Sequence, residues 1–195
     1  MRRVTLEDRR EARRNSLLRA GVALLGAPDG PAVNVRAVCR AAALTERYFY
    51  ESFRDRDEFV RSVYTTVGNQ AQAALVEAVA STETARQRAE AAVGAFVKLM
   101  VDDPAMGRVL LLAPLSEPAL SRRGIDLMPG FVALVHDQLS AVDDEVEKQL
   151  VAVGVVGALT TLFIGYLDGT VAASREQFVA HCVTLVVEAN KAGHE

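Results

Sequence analysis

Residues 34–60, NVRAVCRAAALTERYFYESFRDRDEFV, constrain this chain more than any other stretch. Asn34 is a favourable N-cap, and Val35, Val38, Cys39 and Ala42 follow it at helical spacing on one inward side. Ala43 and Leu44 make a turn, and Thr45 can cap a third helix whose core side is Phe49 and Phe53. Asp55, with Glu58 three residues on, is a capping-box pattern for a fourth helix, whose buried stripe is Phe59, Val60, Val63, Tyr64 and Val67. Two helices this short cannot bury enough surface alone. Their apolar sides, Val38, Leu44, Phe49 and Phe53, must be clamped from beneath by Leu17 and Leu24 of an earlier helix.

The rest of the chain keeps the same periodicity. No two-residue alternation is sustained, which predicts an all-α fold of about nine helices. A first helix runs from Thr5 to about Ala27, ahead of the breaker Pro28-Asp29-Gly30-Pro31. The fourth reaches about Ala80, joining a three-helix head over residues 1–62 to a larger helical body over 63–195. Further helices are expected over 83–101, 103–113, 119–140 with an interruption at Pro129-Gly130, 143–168 and 175–191. Leu150 to Leu167 carries no charge, yet three glycines and Thr160-Thr161 interrupt it, and no aromatic belt or basic cluster flanks it. It is read as a helix buried on all sides, with no membrane partner.

Charge is divided between the two parts. The net charge is −3, but residues 1–62 hold 13 arginines against nine acids, while the remainder holds nine basic against 16 acidic groups. A basic head on an acidic body suits a protein that offers only one end to phosphates. In the short third helix Phe49 and Phe53 face inward, leaving Thr45, Glu46, Arg47, Tyr48 and Tyr50 outward. Arg47 can read a guanine edge or grip a phosphate, and exposed tyrosines donate to phosphates. Helix starts at Asn34, Thr45 and Asp55 add backbone N–H groups, and Arg36 completes the candidate DNA face.

These residues resemble the head of the TetR family of one-component bacterial repressors, over roughly residues 14–61. The match rests on Gly30, Asn34-Val35, Val38-Cys39-Arg40-Ala41-Ala42-Ala43-Leu44-Thr45, Phe49-Tyr50-Glu51-Ser52-Phe53 and Asp55-Arg56-Asp57-Glu58-Phe59. Ala43 stands where the family has a turn glycine, Arg47 where a small residue is frequent, Ser52 where a second aromatic is usual, and Arg56 where a lysine grips phosphate. The resemblance implies that Tyr50 and Arg56 hold phosphates and that Thr45, Arg47 and Tyr48 face the major groove of double-stranded operator DNA. Arg2 and Arg3 are expected to reach a neighbouring phosphate or the minor groove.

A lone head reads few base pairs, so a homodimer is expected. Gly154, Ala158, Thr161 and Gly165 recur at three- or four-residue steps that admit a second helix closely. Phe178, Cys182, Leu185 and Val186 form a stripe on the last helix, and the resemblance implies a four-helix interface from both segments. The middle helices are expected to enclose an unknown small-molecule effector. Phe96, Met100, Met106, Leu110, Met128, Phe131, Phe163 and Tyr166 form a lining suited to an apolar or amphipathic ligand.

Chemistry by the chain itself is not expected. His136, His181 and His194 lack ligand spacing, and there is no G-x-S-x-G, Walker loop or paired-cysteine motif. Cys39 and Cys182 read as buried free thiols. No metal, cofactor or catalytic residue is proposed. The charged start, MRRVTLEDRREARR, has no apolar core, and a cytoplasmic location is expected. The leading expectation is a dimeric, ligand-released repressor. The alternative is a protein of the same fold that binds small molecules or partners and no longer reads DNA.

Overall fold

Capping residues start the long helices where the sequence places them. The computed structural model describes residues 5–28, 33–121 and 123–191. Arg2, Arg3, Gly30, Pro31 and His194, named above, lie outside the described residues. Helix α1 (Leu6–Leu25) opens with a reciprocal box in which Thr5 Oγ1 accepts from Asp8 N at 3.1 Å and Asp8 accepts from Thr5 N at 2.7 Å. Asn34 caps α2 (Val35–Ala41) by accepting from Ala37 N at 2.9 Å. After α3 (Glu46–Tyr50), Asp55 caps α4 (Arg56–Val79) through Glu58 N at 2.7 Å. Thr84 and Ser174 form the same boxes with Gln87 and Gln177 at the starts of α5 (Ala85–Met100) and α9 (Arg175–Ala189).

Two segments depart from the predicted pattern. Helix α6 (Pro104–Ser116) continues through Pro114, because residues Arg108–Leu112 widen into a π turn. A 3₁₀ turn (Pro118–Leu120) follows. Helix α7 (Arg123–His136) runs unbroken through Pro129, where an interruption was expected. Helix α8 (Glu145–Asp168) ends at Gly169, whose φ of 84° is the usual left-handed stop. That makes nine helices and no strand among the described residues, as the periodicity implied.

The apolar core is continuous from Leu17 and Phe49 at one end to Val183 and Val187 at the other. Helix α4 carries it between the two parts, with Phe59, Val60, Val63 and Val67 almost wholly buried. The end of α1 also touches α6 directly, since a Cβ on Gly26 would overlap the Ala105 backbone. A smaller cluster of Val132, Leu139, Val142, Ala152 and Val156 binds α7 to α8. Helix α8 is not buried on all sides. It is long and apolar enough to cross a membrane, yet only 28% of its apolar window is covered. Val146, Leu150 and Val153 stand 69%, 67% and 48% exposed along one side.

Candidate nucleic-acid interface and ligand cavity

Three phenylalanines seat α3 on the core and leave its other side open. Phe49, Phe53 and Phe59 are buried, with ring centroids 5.0–5.5 Å apart. The turn that feeds α3 is a six-to-one and five-to-two hydrogen-bonded close, Leu44 N to Cys39 O at 2.9 Å and Ala43 N to Arg40 O at 3.2 Å. It forces Ala43 to φ 53°, a left-handed conformation at the position where the resemblance puts a turn glycine.

With its back fixed, α3 turns Thr45, Arg47 and Tyr50 to the outside. Thr45 makes no side-chain cap bond, Tyr50 is 57% exposed and meets Phe49 edge-on, and the Arg47 side chain is 84% exposed. Arg36 of α2 lies open beside them. Each arginine has a carboxylate neighbour on this face. Arg47 Nε donates to Glu51 at 3.1 Å, and Arg36 pairs with Glu46 at 3.4 Å. Glu51 also draws in α1, its carboxylate 3.8 Å from Arg13 and its carbonyl accepting from Arg10 at 2.9 Å. Periodicity could not reveal Arg10 and Arg13 as part of this face, because only the α1–α3 crossing brings them to Glu51.

Several predicted contacts take other roles. Tyr48 is half-buried beneath the Arg13 guanidinium, 4.5 Å from its ring, rather than open to a groove. Asn34 uses its side-chain oxygen as the α2 cap. Arg56, expected to grip phosphate, is instead taken up by Val33, Asp57 and Glu117. Its Nε donates to the Val33 carbonyl at 2.7 Å, and its Nη1 donates to Asp57 and Glu117, each at 2.9 Å. Nη2 completes a bidentate pair with Glu117. Arg56 holds Glu117 ionised, well below the ordinary carboxylate range, and its own proton is held more tightly in return.

Within the body, a cavity of about 520 Å³ lies among α4, α5, α6, α7, α8 and α9. Phe96, Leu110, Met128, Phe131 and Phe163 line it as expected. The π turn of α6 delivers Leu110 and Leu111 to its wall. Met100 and Met106 are packed into the core away from it, and Tyr166 stacks on Phe178 at 4.2 Å. Tyr64 lines the wall with its hydroxyl pushed up to about 12, chiefly by burial and secondly by the Asp126 carboxylate. Arg88, Gln138 and Asn190, polar groups absent from the predicted lining, also reach the cavity.

The predicted dimer residues divide similarly. Gly154 and Thr161 are exposed and Ala158 half-buried, on the same open side of α8 as Leu150. Gly165, Phe178 and Cys182 instead pack inside the chain, Phe178 edge-on to Phe163 at 4.9 Å. Val186 lines the cavity, and Leu185 is half-buried. Of the predicted stripe on α9, Phe178 and Cys182 face inward, where α5 and α8 pack against that helix.

Nine helices in this order, with α3 open on one side and a cavity among α4–α9, make a fold also found in solved structures. The fatty acid degradation regulator FadR from Bacillus halodurans matches with a TM-score of 0.77 at 13% identity, over 90% of this chain and 94% of that one. A putative TetR-family regulator from Syntrophomonas wolfei matches at 0.76 and 10% identity, over 95% and 97%.

The chain has the fold of the TetR-family regulators.

The transcriptional regulator FadR from Bacillus subtilis, solved in complex with stearoyl-CoA, also matches, with a TM-score of 0.74 at 14% identity, over 93% of this chain and 99% of that one. No protein-family model and no curated protein sequence matches the chain. At identities of 10–14% the likeness shows the fold alone. No group of three His, Cys, Asp or Glu that could hold a metal ion occurs among the described residues.

Proposed function

We propose that this protein is a dimeric transcriptional regulator, most simply a repressor, that binds operator DNA through α2 and α3 and is released by a small apolar or amphipathic molecule. The observation that carries the reading is the trio Thr45, Arg47 and Tyr50, exposed above the buried Phe49–Phe53–Phe59 cluster. Such a support lets a short helix enter a major groove while N–H groups and hydroxyls meet the flanking phosphates. Residues 1–62 form the reading head and 63–195 the sensing and pairing body, with the boundary inside α4.

The exposed stripe of α8 supports pairing. Val146, Leu150 and Val153 are open, and Cβ atoms added at Gly154 or Gly157 would meet nothing within 4 Å. A second copy laid on this side covers the apolar surface and sets two heads for successive half-sites.

Release follows from how the cavity adjoins the head. Pro114 and Leu115 line it, and Glu117, just beyond them, grips Arg56 at the first turn of α4. A ligand that fits the cavity better with this link displaced favours a different setting of the heads.

The test is binding of the full-length protein to duplex DNA from its own upstream region, followed by fluorescence anisotropy over a range of salt. Steep salt dependence, broad weakening by Tyr50→Phe and altered base preference in Arg47→Ala are expected. Salt-independent or absent binding would instead favour a same-fold protein that does not read DNA. The pairing of Arg36, Arg47 and Arg56 with carboxylates keeps that second reading specific.

A further inference from the structure

We infer that the cavity takes an amphiphile with an anionic, carboxylate-type head, held by Arg88 and Asn190 at the end remote from α3. This rests on the effector reading above and narrows its chemistry.

Among the described residues, two buried side-chain polar atoms have no hydrogen-bond partner, Arg88 Nε and Asn190 Oδ1. Both residues line the cavity, whose other walls are mostly aliphatic and aromatic. Arg88 lies on α5, and Asn190 is the residue that closes α9. Arg175 Nη2 donates to Asp102 Oδ2 at 2.8 Å, tying the start of α9 to the end of α5, so these helices run antiparallel. Arg88 precedes Asp102 by nearly as many residues as Asn190 follows Arg175. At roughly 1.5 Å rise per residue the two side chains sit level. Arg88 also lies just past the loop that follows α4, at the opposite end of that helix from Arg56.

The unmet groups define the occupant. A guanidinium stays charged at any working pH, and a buried N–H without an acceptor is costly. The Arg88 Nη1 bond to the Glu83 carbonyl is long, at 3.3 Å, and Arg88 has no ion pair with any described residue. Asp137 also lines the cavity, but its side chain is 72% exposed and turned toward His136, so it leaves Arg88 uncompensated. A carboxylate satisfies both orphans. One oxygen accepts from Arg88 Nε–H, and the Asn190 amide, turned by half a rotation, donates to the other. The tail then runs along Phe96 and Phe131 toward Leu110 and Leu127.

The experiment displaces Nile red, a neutral dye, from the full-length protein with decanoic acid, 1-decanol or decyltrimethylammonium at pH 7.5. The acid is expected to act at a concentration about tenfold below the alcohol, with the cation weakest. Arg88→Met should bring the acid to the level of the alcohol, Arg88→Lys should keep part of the preference, and Asn190→Ala should reduce it several-fold. Thermal melts establish folding, and if Arg88→Met does not fold, the acid-to-alcohol ratio of Asn190→Ala decides. Equal displacement by acid and alcohol, a preference for the cation, or an acid preference that survives these changes overturns the anionic head and leaves an apolar effector standing. If the dye does not bind, or none of the three displaces it, the effector reading fails as well.

Discussion

Arg56, in the first turn of α4, and Glu117, 61 positions later between α6 and the 3₁₀ turn, share a bidentate ion pair that joins head to body. The Glu117 side chain is only 11% exposed, so the pair is better shielded than a surface bridge. Glu117→Gln is expected to cost about 1.5–3 kcal/mol at neutral pH, the range for hydrogen bonds to a charged group. The sign with pH follows from the depressed acidity of Glu117. Its stabilisation is complete above the ordinary carboxylate range of roughly pH 4–5 and is lost as pH falls through the lower folded value. Urea titrations of both proteins across pH 3–7 check this. The gap between them should close in acid, and a gap that is constant with pH removes the ionised pair as its cause.

Ala43 occupies left-handed backbone because the Leu44–Cys39 bond requires it. Glycine there loses the clash, roughly 1–2 kcal/mol, but gains chain entropy when unfolded. The first effect is larger, so Ala43→Gly should stabilise by about 0.5–1 kcal/mol. The denaturation midpoint should rise with an unchanged slope. A fall would mean that the turn is not built as described.

Glu51 restrains Arg47 and Arg13 on the face proposed to meet DNA. Glu51→Gln removes one negative charge there and frees both guanidinium groups. Operator affinity in low salt should rise several-fold. Anisotropy titrations measure it, and unchanged or weaker binding would place the phosphates elsewhere.

Leu150 lies 67% exposed at the centre of the open side of α8. A charge at that point would be buried without a partner in a paired face, so Leu150→Glu should shift the protein to monomers. Sedimentation velocity reports the change directly. A wild-type monomer, or a Leu150→Glu protein that stays paired, would reassign the stripe.

Burial of the two thiols follows the apolar spacing around them. Cys182 is fully buried with its thiol pushed up to about 11, and burial is also the main cause raising Cys39. Both should resist thiol reagents until the protein unfolds. Fast labelling under native conditions would show local opening of α2 or α9.

Helix starts were readable because they are local. A capping side chain and its N–H partner lie three residues apart, so Thr5, Asn34 and Asp55 carry their own evidence. The same holds for the exposed half of α3, where Phe49 and Phe53 fix which side faces outward. Residues Pro104–Ser116 and Pro129 were less legible, because proline signals a break whose outcome depends on neighbouring helices.

The sequence by itself determined an all-helical chain, a basic amino end and a third helix with one open side, since period, charge and capping act over a few residues. Only the tertiary structure decided that Arg56 turns to Glu117, that Phe178 and Cys182 face inward, and that Arg88 meets the same cavity as Asn190. Those outcomes join residues far apart in the chain. They depend on which side of each amphipathic helix another helix covers, and short-range periodicity carries no record of that choice.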